Sequence, residues 1–328
     1  MPPSLSSLLA PFPPSTHAAL ARLHAALAAP QPPLVALHAL PHSARAAVAV
    51  VLFLDCAAHP AAFRPFVSPS EAERGSGSSA EEGKPEWLVL LTTRSLTVGS
   101  HPGQASLPGG KMERGEDARR TAAREMREEI ALDVREGAVE VGEGKSFLSK
   151  TNLLVTPIFY LLPPSFAQRA LPKLRACPCE VAAMWAYPLR ALLSSHAPQA
   201  PRLRLQHPTK VDRHRPPQEA FRTWSDVPWM HGGTYRLHRF RSGHELVKGL
   251  TADILLYATT LLLDKPAFDI LSPTQPSWEQ VVQGMVERMQ RNEGRGRKRW
   301  GDGESGDKEG EAQRYATCVG RDGVETSG

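Results

Sequence analysis

Glutamates and arginines crowd one short stretch of this chain, and their spacing suits chemistry on a phosphate. From Leu107 to Leu132 the sequence reads LPGGKMERGEDARRTAAREMREEIAL. Glu125 precedes Glu128 by three residues and Glu129 by four, so on a helix these carboxylates share a face. Carboxylates crowded on one face repel one another unless a cation lies between them, and their hard oxygens suit Mg²⁺ or Mn²⁺. Glu116 is a further candidate ligand from the loop before the helix. Gly109 and Gly110 mark a turn where the backbone can take positive φ or approach a ligand closely. The other reading of the same residues is a solvated helix laced by i, i+4 pairs of Glu and Arg.

These side chains need elements to hold them. Ala- and Arg-rich sequence from Asp117 or Ala118 to about Ile130 has strong helix preference. Arg45 to Asp55, RAAVAVVLFLD, is a short apolar run rich in valine and reads as a buried strand. Further strands are expected over Trp87–Arg94, Leu153–Leu162, Val181–Tyr187 and Tyr235–Arg241, with a short helix starting at Pro188. Val247 to Leu263 carries an apolar stripe at helical spacing (Leu250, Ile254, Tyr257 or Ala258, Leu261) and reads as a core-packing helix. Residues 57–85 and 194–232 are rich in Pro, Ser, Gly or His and read as irregular insertions. The order of elements predicts an α/β fold with a mixed sheet between helices.

The glutamate stretch resembles the Nudix box, G-x5-E-x7-R-E-U-x-E-E-x-G-U, where U is bulky and aliphatic. Gly110, Glu116, Arg124, Glu125, Met126, Glu128, Glu129 and Leu132 match it, while Ala131 stands where the box has a glycine that ends the helix. The resemblance implies a Nudix-type α/β/α sandwich and a metal-dependent diphosphatase. Glu125 and Glu129 would be the principal metal ligands, with Glu128 at the metal or acting as base, and Glu116 a further ligand. Glu128, Glu129 and Arg124 are the catalytic candidates, Arg124 by orienting the loop and carboxylates. Glu180 either adds a carboxylate to the site or forms a salt bridge at a strand start.

The residues before the box resemble the signature of coenzyme A diphosphatases, LLTxRSxxLRxHxGQVxFPGG. Leu90, Leu91, Thr92, Arg94, Ser95, His101, Gly103, Gln104, Pro108, Gly109 and Gly110 match; Val98, Gly99, Ala105 and Leu107 depart. Loss of the arginine at Gly99 removes a possible phosphate contact. The resemblance implies hydrolysis of coenzyme A or acyl-coenzyme A at the diphosphate, with Arg94, His101, Gly109 and Gly110 at the substrate. A different nucleoside diphosphate, such as ADP-ribose, and a non-catalytic Nudix-fold binding module are the competing readings. Trp224, Trp229, Met230 and His231 would either stack on the substrate or pack the second insertion onto the domain.

Residues 1–42 form an N-terminal extension with a short helix over Thr16–Ala29. They contain no acidic residue, as organelle transit peptides often do, but Arg22 is the one arginine there. The domain is expected over 43–270, followed by a C-terminal extension to 328 whose composition predicts disorder from about residue 290. A net charge of +5 gives no concentrated basic face, so nucleic acid is not an expected partner. The segment Arg295–Arg299 is diluted by nearby acids. No apolar run is long enough to span a membrane, and peroxisomal, mitochondrial and cytoplasmic locations stay open. Cys56, Cys177, Cys179 and Cys318 show neither metal-finger nor redox spacing and read as reduced, incidental thiols.

Overall fold

The computed structural model describes residues 3–29, 42–56, 58–60, 63, 86–99, 101–149, 153–195, 221–229 and 233–277, with isolated positions up to 287. Its centre is strand β1 (Arg45–Leu54), the valine-rich run. It pairs antiparallel with β2 (Trp87–Arg94) and parallel with β7 (Leu154–Leu161). A central strand with helices on both faces needs apolar side chains in both directions, and from Ala46 onward all of β1 but Val48 is buried.

β1 and β2 pair only at one end, through Leu52–Leu54 and Trp87–Val89. Where they diverge, two short strands fill the fork: β3 (Ala105–Ser106) on β2 and β4 (Gly109–Lys111) on β1. The Ala49 N–H donates to the Pro108 carbonyl at 2.8 Å, which locks the wedge. The glycine turn thus sits inside the sheet rather than on a surface loop. β5 (Val139–Glu143) and β6 (Phe147–Leu148) pair with β7, and β8 (Val181–Pro188) covers the outer edge of β2.

One face carries α3 (Ala118–Ile130) and α4 (Pro164–Ala170). Ala118, Ala122, Met126 and Ile130, each four residues apart, pack there against Ala47, Ala49, Leu88, Leu90 and Ile158. The opposite face holds α1 (Leu5–Leu9), α2 (His17–Ala28) and α5 (Gly249–Leu262). The result is an α/β/α sandwich with a mixed sheet. Leu8, Leu20 and Leu23 have no exposed surface, and Arg22 Nη2 donates to the carbonyls of Leu262 and Leu263 at 2.9 and 2.8 Å. The N-terminal segment is therefore built into the core.

The structure departs from the expected elements in several places. The helix expected from Val247 begins at Gly249, because Val247–Lys248 (β11) pairs with β10 (Thr234–Phe240). The turn after Pro188 is a 3₁₀ segment, Leu189–Leu193. The second insertion, expected to 232, gives way at Phe221 to strand β9 (Arg222–Pro228), which pairs along the whole of β10. Trp224 lies there, 53% exposed beneath the Arg222 guanidinium, and Trp229 tilts against Tyr235. Met230, His231, Cys318, most of residues 57–85 and the tail beyond 290 lie outside the described residues. Among the described residues, no helix is long and apolar enough to cross a membrane.

Candidate active site

Helix α3 is arranged in stripes four residues apart. Next to its apolar stripe runs Thr121, Glu125 and Glu129, all buried, with Glu125 and Glu129 against the glycine wedge. Asp117 caps the helix, accepting from the Arg120 N–H at 2.9 Å. At the other end Ala131 takes the left-handed conformation (φ 57°, ψ 30°). Its N–H donates to the Arg127 carbonyl, the single bond of an αL cap, and the Leu132 N–H donates to the Met126 carbonyl. The turn that the Nudix box closes with glycine is thus closed here by alanine, at some backbone strain.

Both glycines of the wedge are there for space. A Cβ at Gly109, which has φ of 155°, would strike the Ala47 carbonyl, and one at Gly110 would strike the Glu125 carboxylate. The Gly109 N–H donates to Glu129 Oε2 at 3.2 Å. The expectation placed these glycines at the substrate; their described contacts are with β1 and the two glutamates.

Glu125, Glu129 and Glu180 each bring a carboxylate oxygen within 4.8 Å of the others. Glu180 comes from the turn before β8, far from α3 in sequence. Burial pushes Glu129 up to about 8, with the Glu125 charge raising it further and Arg94 opposing. Burial likewise raises Glu125 to about 7, against the pull of Arg124. Buried acids held this high are costly in isolation and become stable donors once a cation replaces their protons. The donor set is all oxygen, which fits Mg²⁺ or Mn²⁺.

Glu116 and Glu128, expected at the metal, stand outside this triplet and are held by Arg124. That guanidinium donates from Nε to Glu116 (2.8 Å), from Nη1 to Glu125 (2.7 Å) and Glu128 (3.0 Å), and from Nη2 to the Lys111 carbonyl (3.1 Å). Glu116 also accepts from the Thr121 hydroxyl at 2.8 Å and the Glu113 N–H at 3.0 Å. Although partial burial raises it, these bonds hold Glu116 down at about 2. Thr121 was not singled out from the sequence; its spacing of four from Glu125 was the available signal.

Arg94 ends β2, and its charge reaches Glu129. Its backbone closes the loop that follows, with N–H donating to Gln104 and carbonyl accepting from Gly103, both at 3.0 Å. His101 lies exposed on that loop with φ of 53°. The structure therefore gathers Glu125, Glu129 and Glu180 at one point with the Arg94 charge acting on Glu129, ties Glu116 and Glu128 to Arg124 beside Glu125, and leaves His101 exposed on the loop after β2.

Comparison with known proteins bears on this arrangement. A model of the NUDIX domain family matches residues 79–204. "Nudix hydrolase 15, mitochondrial" of Arabidopsis thaliana is 33% identical over 184 residues, 54% of each chain. "Peroxisomal coenzyme A diphosphatase ndx-8" of Caenorhabditis elegans is 36% identical over 90 residues, 26% of this chain and 38% of that one. The chain spans about half the length of the first of these and less of the second. "Uncharacterized Nudix hydrolase NudL" of Salmonella paratyphi B is 30% identical over 174 residues, 52% of this chain and 73% of its own. With the box residues gathered at the fork of a mixed sheet and a relative covered over most of its length, this chain belongs to the Nudix hydrolase family.

Proposed function

We propose that the chain is a metal-dependent diphosphatase that hydrolyses coenzyme A or acyl-coenzyme A, releasing 3′,5′-ADP and 4′-phosphopantetheine or its acyl derivative. The observation that carries the chemistry is the triplet of Glu125, Glu129 and Glu180 with the Arg94 charge against it. The substrate reading rests on the residues from Leu90 to Gly110, which form β2, its closed loop and the glycine wedge, and on the relative named a coenzyme A diphosphatase.

In this reading Glu125, Glu129 and Glu180 hold the cation. When bound, it neutralises charge on the diphosphate and lowers the pKa of a coordinated water. Arg94 lies at the strand end where its planar fork pairs with a phosphate oxygen. Arg124 acts as a positioning residue, fixing Glu125 and Glu128 while Glu116 fixes Arg124. In the same reading Glu128, 30% exposed and paired with Arg124, takes a proton from water.

The test is hydrolysis by the purified chain with Mg²⁺ or Mn²⁺, using coenzyme A, acetyl-coenzyme A, ADP-ribose and diadenosine polyphosphates. Chromatography would separate the products, with Glu129→Gln as control. Release of 3′,5′-ADP, lost in the variant, supports the whole reading. Preference for ADP-ribose keeps the chemistry and overturns the substrate. Tight binding without turnover points instead to a ligand-binding module.

A further inference from the structure

The turn that presents Glu180 carries two thiols in contact. Cys177 Sγ and Cys179 Sγ lie 2.8 Å apart across Pro178, against about 2.0 Å in a disulfide. The turn is tight: the Cys177 carbonyl accepts from the N–H groups of Glu180 (2.9 Å) and Val181 (2.7 Å). It is also tied to both sides of the site. The Cys177 N–H donates to the Glu129 carbonyl at 2.9 Å, the Ser95 N–H donates to the Glu180 carbonyl at 2.8 Å, and Thr97 Oγ1 donates to the Cys179 carbonyl. Cys179 thus adjoins Glu180 in the chain and is bonded through Thr97 to the loop that follows Arg94.

We infer that Cys177 and Cys179 form a reversible disulfide that withdraws Glu180 from the carboxylate triplet, making this turn a redox control of the metal site. The ring that a bond would close through Pro178 is small, and disulfides in such small rings are the easily reduced, regulatory kind. Cys179 is partly exposed and Cys177 buried, which sets the order of events. The Cys179 sulfur, giving its proton to solvent, attacks a low-molecular-mass disulfide and releases one thiol of the pair. The Cys177 sulfur then attacks Cys179 of the mixed disulfide, its proton also going to solvent, and releases the second. Two protein thiols are oxidised, one small disulfide is reduced, and the two departing thiolates recover two protons. The effect on the cation rests on the site proposed above; the formation of the bond does not.

The experiment equilibrates the full chain in glutathione and glutathione disulfide buffers of increasing oxidising strength, with thiols blocked on sampling. Trypsin yields residues 176–190 as one peptide holding both cysteines and no other. The expected result is loss of the mass of two hydrogens from that peptide, fully reversed by dithiothreitol and absent in Cys179→Ser. In parallel, Mn²⁺ affinity should fall roughly 10- to 100-fold on oxidation, the range for disturbed support of a metal site. It should not change on oxidation in Cys179→Ser, while Cys56→Ser behaves as wild type. Amide exchange over residues 93–97 and 176–182 should rise in the oxidised form, a readout that stands even if the chain binds no cation. A peptide that stays reduced or carries only glutathione overturns the inference, as does a disulfide that changes neither Mn²⁺ affinity nor amide exchange.

Discussion

Replacing Glu129 by glutamine should abolish hydrolysis and yet stabilise the cation-free protein, by an amount that depends on pH. The side chain is 5% exposed, and burial raises its carboxyl from 4.5 to about 8. Between those values the group keeps its proton in the fold and has lost it in the unfolded chain. Its contribution to stability is therefore fully present below about pH 4.5 and is lost as pH rises to about 8. At about 1.4 kcal/mol per pH unit, the loss is about 5 kcal/mol. Because part of this shift comes from the neighbouring Glu125 charge, about 3–5 kcal/mol is the expected gain from the neutral amide near pH 8.5. The amide oxygen still accepts from the Gly109 N–H. Urea unfolding in EDTA at pH 5 and pH 8.5 would measure this, with a difference under about 1 kcal/mol expected at the lower pH. Saturating Mn²⁺ should reverse the order by stabilising wild type and not the variant. A glutamine variant no more stable at pH 8.5 than at pH 5 would refute the reasoning.

Three further outcomes follow from the same geometry. Mn²⁺ affinity should rise between pH 6 and 8 with release of protons, because Glu125 and Glu129 (about 7 and about 8) must lose theirs to bind; calorimetry in buffers of different ionisation enthalpy reads the proton count. Arg124→Lys keeps the charge but loses the fork that reaches Glu116, Glu125 and Glu128 together; turnover should fall at least about tenfold and stability by about 2 kcal/mol, measured by kinetics and by unfolding. Ala131→Gly relieves the left-handed alanine at an exposed position and should add about 1 kcal/mol of stability with hydrolysis unchanged.

The sequence made β1, α3 and α5 legible because each is long and its apolar positions repeat at one period. Short elements such as β5 and β6 carry too few residues for a period to show. β9 was hidden because its sequence, RTWSDVP, is polar and follows a Pro- and His-rich stretch; it becomes a strand through its pairing with β10. In the site, the box residues are adjacent in sequence and easily read. Sequence alone leaves Glu180 equally open to a strand-start salt bridge, since only the path of β8 along β2 carries it to α3. The roles of Gly109 and Gly110 also depend on neighbours, namely the Ala47 carbonyl and the Glu125 carboxylate, that no local spacing reveals.

The clasp between Arg22 and the last turn of α5 bears on how the chain can be processed. Residues 1–42 have the acid-poor composition of an import signal, and such signals are commonly discarded on arrival. Here the same stretch supplies Leu8, Leu20 and Leu23 to the interior, each worth about 1.5–3 kcal/mol of burial. It also supplies the cation that terminates the main helix on that face. Cleavage after residue 29 would leave a sticky apolar floor and two bare carbonyls. Removing these residues would therefore take away part of the core together with any address they carry.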